Sequence, residues 1–236
     1  MIDRLLLEIG NSTVKLATFG ADGGIAVERF SNLEALLRRI EASGLPILAA
    51  PTGGAGGAEI LDRISDAADV AVIDRAAFGT MIGDSYDTPR SLGLDRMLNV
   101  AGLDSDAVVI SCGTAITIDA LIDGRPRWGA IMPGFTTAAN GLHARIPQLP
   151  LVSTRFPVSI PARDSITSVA NGIMLGAAFG AKGIAAQLTG EFGFRVVLTG
   201  GDAGVMERFW EGAEADDALL FRGMMKVWND GEDWKW

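Results

Sequence analysis

Three short stretches carry the residue types that chemistry on a phosphate would need. Gly10-Asn11-Ser12 and Cys112-Gly113-Thr114 are glycine turns between apolar runs, and Gly93-Leu94-Asp95-Arg96 opens a helix. Glycine at such a turn lets backbone approach a ligand with no Cβ in the way. Successive amides in a turn form an anion-binding concavity, and Thr114 adds a hydroxyl. Gly93, Asp95 and Arg96 fall in a first helical turn, where unpaired N–H groups favour an anion. Each stretch also has a plainer reading: a hairpin with a glycine turn, a carboxylate favoured by the helix dipole, an arginine in a surface ion pair. No one of them decides alone.

The elements around them narrow the choice. Leu5 to Ile9 and Thr13 to Phe19 flank the first glycine turn, as Val108 to Ile110 and Ala115 to Leu121 flank the second, about a hundred residues later. Two copies are too few for a solenoid and fit a duplicated two-lobe fold able to hold the phosphates of a nucleotide. A third strand spans Ile25 to Phe30 after a turn at Gly20 to Gly24. Ser31-Asn32-Leu33-Glu34 has the form of a capping box, with Leu33, Leu36, Leu37 and Ile40 at helical spacing. Strands at Leu45 to Ala50 and Val70 to Ile73 alternate with a helix at Glu59 to Ala68, the pattern of α/β layers. The Gly-rich loop Pro51 to Gly57 lacks a following Gly-Lys-Ser/Thr and reads as a plain connection. Further on come Asp123-Gly124, a hairpin signal, a helix in Phe135 to Leu149, and a long helix of small residues from Ile166 to Leu188. A strand at Val196 to Leu198, helices at Val205 to Trp210 and Asp217 to Val227, and a polar tail from Trp228 to Trp236 complete the chain.

Composition excludes several classes. The chain has 236 residues, 48% of them hydrophobic, enough for a sizeable core. Its net charge of −9 disfavours nucleic acid and anionic membrane. Cys112 is the single cysteine, so no intrachain disulfide forms, which suits a reducing cytoplasm. With no His beside it, Cys112 reads as a small buried hydrophobe. The lone His143 reads as structural. The chain start lacks the pattern of a signal peptide, and no uninterrupted run of 18 apolar residues appears.

Taken in order, these motifs resemble those of the type III pantothenate kinases, of the actin-like, hexokinase-like kinase superfamily, over nearly the whole chain. Glu8-Ile9-Gly10-Asn11-Ser12-Thr13-Val14-Lys15 resembles that family's Asp-x-Gly-Asn-Thr-x-x-Lys phosphate loop. Gly93-Leu94-Asp95-Arg96, preceded by Tyr86, resembles its Gly-x-Asp-Arg motif. Cys112 to Asp119 contains Gly-Thr-Ala-x-Thr-x-Asp, and Gly129 to Gly134 resembles Gly-Gly-x-Ile-x-Pro-Gly. Thr199-Gly200-Gly201-Asp202 resembles the adenosine-side glycine pair. The departures are Glu8 for Asp, Ser12 for Thr, Ala130 for the second Gly, Ser165 for a substrate-contacting Thr, and Ser111 where many members have an Asp that binds a monovalent cation.

The resemblance implies an α/β fold of two duplicated actin-like (ribonuclease H-like) lobes, 1–105 and 106–236. Each would be a mixed sheet with flanking helices, with a cleft between the lobes. It implies ATP-dependent phosphorylation of pantothenate, the first step of coenzyme A synthesis, by a cytoplasmic homodimer with a shared active site. Glu8, Ile9, Gly10, Asn11, Ser12, Thr13, Val14, Lys15, Thr114, Gly200 and Gly201 would bind ATP. Tyr86, Gly93, Leu94, Asp95, Arg96 and Ser165 would bind pantothenate, with Asp95 taking its hydroxyl proton. Glu8 would hold Mg²⁺, directly or through water, and Ser111 implies that no monovalent cation is required. The alternatives are a kinase of another small acceptor and a nucleotide-binding relative with impaired turnover.

Overall fold

The computed structural model describes residues 4–20, 24–54 and 56–229. The turn expected at Gly20 to Gly24 and the tail expected from Trp228 lie largely outside the described residues. Contacts divide the chain into two compact units: one runs to Leu103 and resumes at Ala218, the other is Asp104–Asp217.

The first unit is built on β1 (Leu5–Ile9), β2 (Val14–Phe19), β3 (Ile25–Phe30), β4 (Ile47–Pro51) and β5 (Val70–Val72), in the sheet order β3-β2-β1-β4-β5. β1, β2 and β3 are antiparallel neighbours, while β4 runs parallel to β1 and β5 parallel to β4. All five residues of β1 are buried, as expected of a central strand covered on both faces. Leu5, Leu7, Ile9, Leu16, Ile47 and Ala49 pack with Leu36 and Ile40 of α1 (Leu33–Ser43) and Ile64 of α2 (Gly56–Ser65). The α1 cap is Asn32 rather than the expected Ser31: Asn32 Oδ1 accepts from the amides of Glu34 (2.8 Å) and Ala35 (3.2 Å). A short α3 (Gly79–Ile82) and two 3-10 turns lead into α4 (Leu94–Gly102).

The second unit repeats this plan. β6 (Ala107–Cys112), β7 (Ala115–Ile122) and β8 (Arg125–Pro133) are antiparallel neighbours; β9 (Val196–Thr199) is parallel to β6, and β10 (Glu214–Ala215) to β9. The order β10-β9-β6-β7-β8 is that of the first sheet strand for strand. The expected Asp123-Gly124 turn has φ of 52° and 67° at its two residues, the left-handed pair that a two-residue hairpin demands. α5 (Phe135–Arg145) follows, then α6 (Ser165–Thr189) and α7 (Ala203–Glu207). Ahead of β9, Arg195 donates to Asp104 and to Glu214 (both 2.7 Å) and holds both carboxyls below their usual range.

One feature departs from the sequence reading. α8 (Leu219–Asn229) packs on α4, so it belongs with the first unit and not with residues 106–217. The contact is backbone-close: a Cβ on Gly102 would lie 2.2 Å from the Leu219 carbonyl oxygen, and one on Gly223 2.0 Å from that of Leu98. α6 is long and apolar enough, at a mean hydropathy of 1.3, to meet the length and composition of a membrane span. Its Met174, Ala178, Ala181 and Ala185 are part of the second unit's core, against Ile116, Ile118 and Ala120 of β7. Core packing accounts for the buried share of this helix, 39% of its apolar 18-residue stretch.

Candidate active site

In the first unit, the β1–β2 turn is closed by Gly10 N–H donating to the Thr13 carbonyl (3.1 Å), with Asn11, Ser12 and Thr13 exposed. Ile9 and Val14 are buried and fix the turn's ends rather than presenting side chains to a ligand. Glu8 is buried at the last position but one of β1. Its Oε2 pairs with Lys15 Nζ at 2.6 Å, and its Oε1 accepts from Thr52 Oγ1 at 3.0 Å. A Cβ on Gly10 would sit 3.3 Å from Glu8 Oε1, so this carboxylate lies directly under the turn.

The loop expected to be a plain connection is part of this turn's support. Thr52 and Gly53 donate backbone N–H to the Ile9 carbonyl, and Gly54 N–H donates to Asn11 Oδ1 at 2.8 Å. A Cβ on Gly53 would lie 2.7 Å from the Gly10 carbonyl carbon. The glycines of Pro51 to Gly57 thus allow two backbones to meet, a close approach that composition alone does not reveal. Beside the turn, Gly10 to Val14 and residues from Phe30 to Leu36 line a cavity of about 180 Å³.

The second group of predicted residues sits at the start of α4. Gly93 is its N-cap position, and no side chain caps the helix. A Cβ on Gly93 would lie 2.4 Å from Asp95 Oδ1 and 3.6 Å from Cγ and Cδ of Arg96. Asp95 therefore folds back over the helix start with the Arg96 stem beside it, in the space that a side chain at Gly93 would take. Leu94 is buried and anchors the helix; Arg96 is 4% exposed. Tyr86 is half-buried in the irregular segment before α4.

In the second unit three turns meet. Gly113 N–H donates to the Ala115 carbonyl (2.9 Å), while Thr114 O accepts from Gly134 N–H (3.0 Å) and Thr137 Oγ1 (2.7 Å). A Cβ on Gly134 would lie 1.9 Å from the Gly113 carbonyl oxygen. Gly200, at φ 91°, brings Asp202 N–H to the Cys112 carbonyl (2.9 Å). The Thr114 side chain is exposed at this junction. Ser111 pairs in register with Thr117 and Thr199, so its neighbours across the sheet offer hydroxyls and no charge. Burial, with Asp202 adding to it, pushes the Cys112 thiol up to about 12, which keeps it protonated and unreactive. Burial also raises Asp202. The family-motif Asp119 is buried and accepts Gly129 N–H at the β8 bulge (3.1 Å), a role within the sheet. His143 Nδ1 hydrogen-bonds the Leu149 carbonyl (2.7 Å) beyond α5. Ser165 opens α6 at the edge of an apolar groove of about 630 Å³ lined by Met132, Leu142, Val169 and Ile173 among others.

Two matching five-stranded sheets, each with a glycine turn between its first two strands, define the class: a duplicated actin-like fold. The model of the type III pantothenate kinase family matches residues 4–187. The type III pantothenate kinase of Chlorobaculum parvum is 31% identical over 86% of this chain and 85% of its own length. That of Chlorobium luteolum is 31% identical over 84% and 83%. This chain belongs to the type III pantothenate kinase family. Among solved structures, a Campylobacter jejuni protein described as a Baf family transcriptional activator is similar with a TM-score of 0.69 and 21% identity, over 96% of this chain and 98% of its own. A Sinorhizobium meliloti protein described as a 2-dehydro-3-deoxygalactonokinase gives 0.52 and 15%, over 96% of each chain. At those identities the structures speak to the fold alone.

Proposed function

We propose that this protein transfers the γ-phosphoryl group of ATP to the hydroxyl of pantothenate, forming 4'-phosphopantothenate at the first step of coenzyme A synthesis. Beyond family membership, the observation that carries the reading is the start of α4, where Asp95 folds back over Gly93 beside the Arg96 stem. Phosphoryl transfer asks for positioned charge rather than covalent catalysis, and this is a base and a cation on one rigid turn. Asp95 accepts the hydroxyl proton as the acceptor oxygen bonds to the γ-phosphorus and the bond to the departing ADP oxygen breaks. Arg96, with a planar guanidinium suited to bidentate pairing, binds the acceptor carboxylate or the moving phosphoryl group. Tyr86 and Ser165 contribute to acceptor binding.

The Gly10 turn and the Gly113-Thr114 turn each offer backbone amides to ATP phosphates, and Gly200 and Gly201 let adenosine approach the backbone. Among the described residues no cluster of three or more His, Cys, Asp or Glu could hold a metal. Mg²⁺ keeps several waters and binds through one or two carboxylates plus substrate phosphates. Glu8, under the Gly10 turn, would hold it through water; when bound, Mg²⁺ neutralises phosphate charge. With Lys15 and Thr52 on its two oxygens, Glu8 also fixes the turn itself. Ser111 supplies no charge for a monovalent cation, and the enzyme works without one, as a cytoplasmic homodimer. The test is Asp95→Asn in a coupled assay of ADP release. ATP binding should persist by calorimetry while kcat falls by roughly 10²-fold or more, the scale of a positioned base. Turnover within about threefold of wild type, less than ~1 kcal/mol of barrier, would remove Asp95 from the role.

A further inference from the structure

Asn99 is a buried amide with an unanswered acceptor. It is 3% exposed, and its Oδ1 accepts no hydrogen bond among the described residues. Buried polar atoms in folded proteins are nearly always paired, and an orphan carries a desolvation cost that an apolar side chain of the same shape avoids. Its neighbours along α4, Met97, Leu98, Val100 and Ala101, are all buried hydrophobics, so packing gives no reason for an amide here.

Its place on the helix gives one. At about 100° per residue, Asn99 projects about 40° from Asp95 and about 60° from Arg96, and its direction falls between theirs. Helical side chains lean toward the N-terminus, so Asn99 leans toward the turn that carries both. An amide oxygen and an ionised carboxylate are both acceptors and cannot bond to each other. A water can donate one hydrogen to each, which would give it the two polar partners that a buried water needs. The charged side chains of α4 and of α8 packed against it are Asp95, Arg96, Arg222 and Lys226, and Lys226 donates to the Leu103 carbonyl.

We propose that Asn99 is a positioning residue for the base: its Oδ1 and the Asp95 carboxylate share one water, which fixes the carboxylate that receives the acceptor's proton. The proposal rests on the reading of Asp95 as that base. It is tested by kcat against pH and by thermal unfolding of wild type, Asn99→Leu, Asn99→Asp and Asp95→Asn. Asn99→Leu should unfold at about the same temperature, because the amide and its water are replaced together by an apolar side chain of similar size, yet lose at least tenfold in kcat with the KM for ATP within twofold. The acid limb of its profile should move to higher pH, because the Asp95 carboxylate loses a donor that favours its ionised form. Asn99→Asp keeps an acceptor for the water: its high-pH plateau should stay within threefold of wild type, with an acid limb shifted upward by the added negative charge. A Leu variant within twofold of wild type with an unmoved limb overturns the proposal, as does an Asp variant whose plateau falls as far as that of Leu. If only the Asp variant folds, it decides alone; if neither folds, Asn99 is a structural residue and the proposal fails. Wild-type turnover by Asp95→Asn would instead remove the base assignment itself, whereas an inactive Asp95→Asn beside unaffected Asn99 variants removes this proposal only.

Discussion

Ser111 is the last residue but one of β6, with Thr117 and Thr199 across from it in register. Three hydroxyls in a row offer lone pairs to a cation but no compensating charge. Removing a carboxylate from a partly dry cation site costs roughly a few kcal/mol, the scale of a buried charge that loses its partner, and a weakly held potassium ion does not survive that loss. Initial rates should therefore be flat when potassium chloride replaces choline chloride in sodium-free buffer. Potassium-specific activation of tenfold or more would contradict this. After a flat response, Ser111→Asp should gain potassium dependence. Such single-residue departures are legible in sequence because each sits inside a contiguous motif. Asn99 was not, because nothing in its own neighbourhood says that its oxygen goes unpaired once the helix is buried.

At the scale of elements, the glycine turns are held by other turns. Gly134, just after β8, is the tightest case: a Cβ there would fall 1.9 Å from the Gly113 carbonyl oxygen and 2.8 Å from that of Thr114. The obstacle is backbone, so it cannot swing aside as a side chain would. Gly134→Ala should lower unfolding stability by ~1–3 kcal/mol, the usual cost of overpacking, and raise the KM for ATP by displacing Thr114. Urea titration and steady-state kinetics read the two effects, and an alanine variant matching wild type in both would show that the turns are not coupled. The strands, α6 and the hairpin turn were legible because apolar period and turn chemistry are local. The role of Gly53 and Gly54 was not, because their partners Gly10 and Asn11 lie some forty residues away. For the same reason α8 read as a helix, but its partner α4 could not be read from its own periodicity.

For the whole molecule, the second unit carries an apolar surface beyond its own needs. Phe179 is 61% exposed, and Gly172, Gly176 and Gly183 of α6 have open space where a Cβ would stand. A stripe of small residues lets a second helix approach closely, and the groove beside Ser165 adds to the same face. The proposed homodimer uses this face, so light scattering at assay concentration should give twice the chain mass and Phe179→Glu should lower it toward monomer. A monomeric, fully active wild type would rule the dimer out. Pantothenate phosphorylation is read out by ADP release from ATP and Mg²⁺ with and without pantothenate, the product being weighed by mass spectrometry. The prediction is turnover that depends on pantothenate, with one ADP formed for each 4'-phosphopantothenate. ADP release that pantothenate leaves unchanged, or no turnover despite ATP binding, would contradict it.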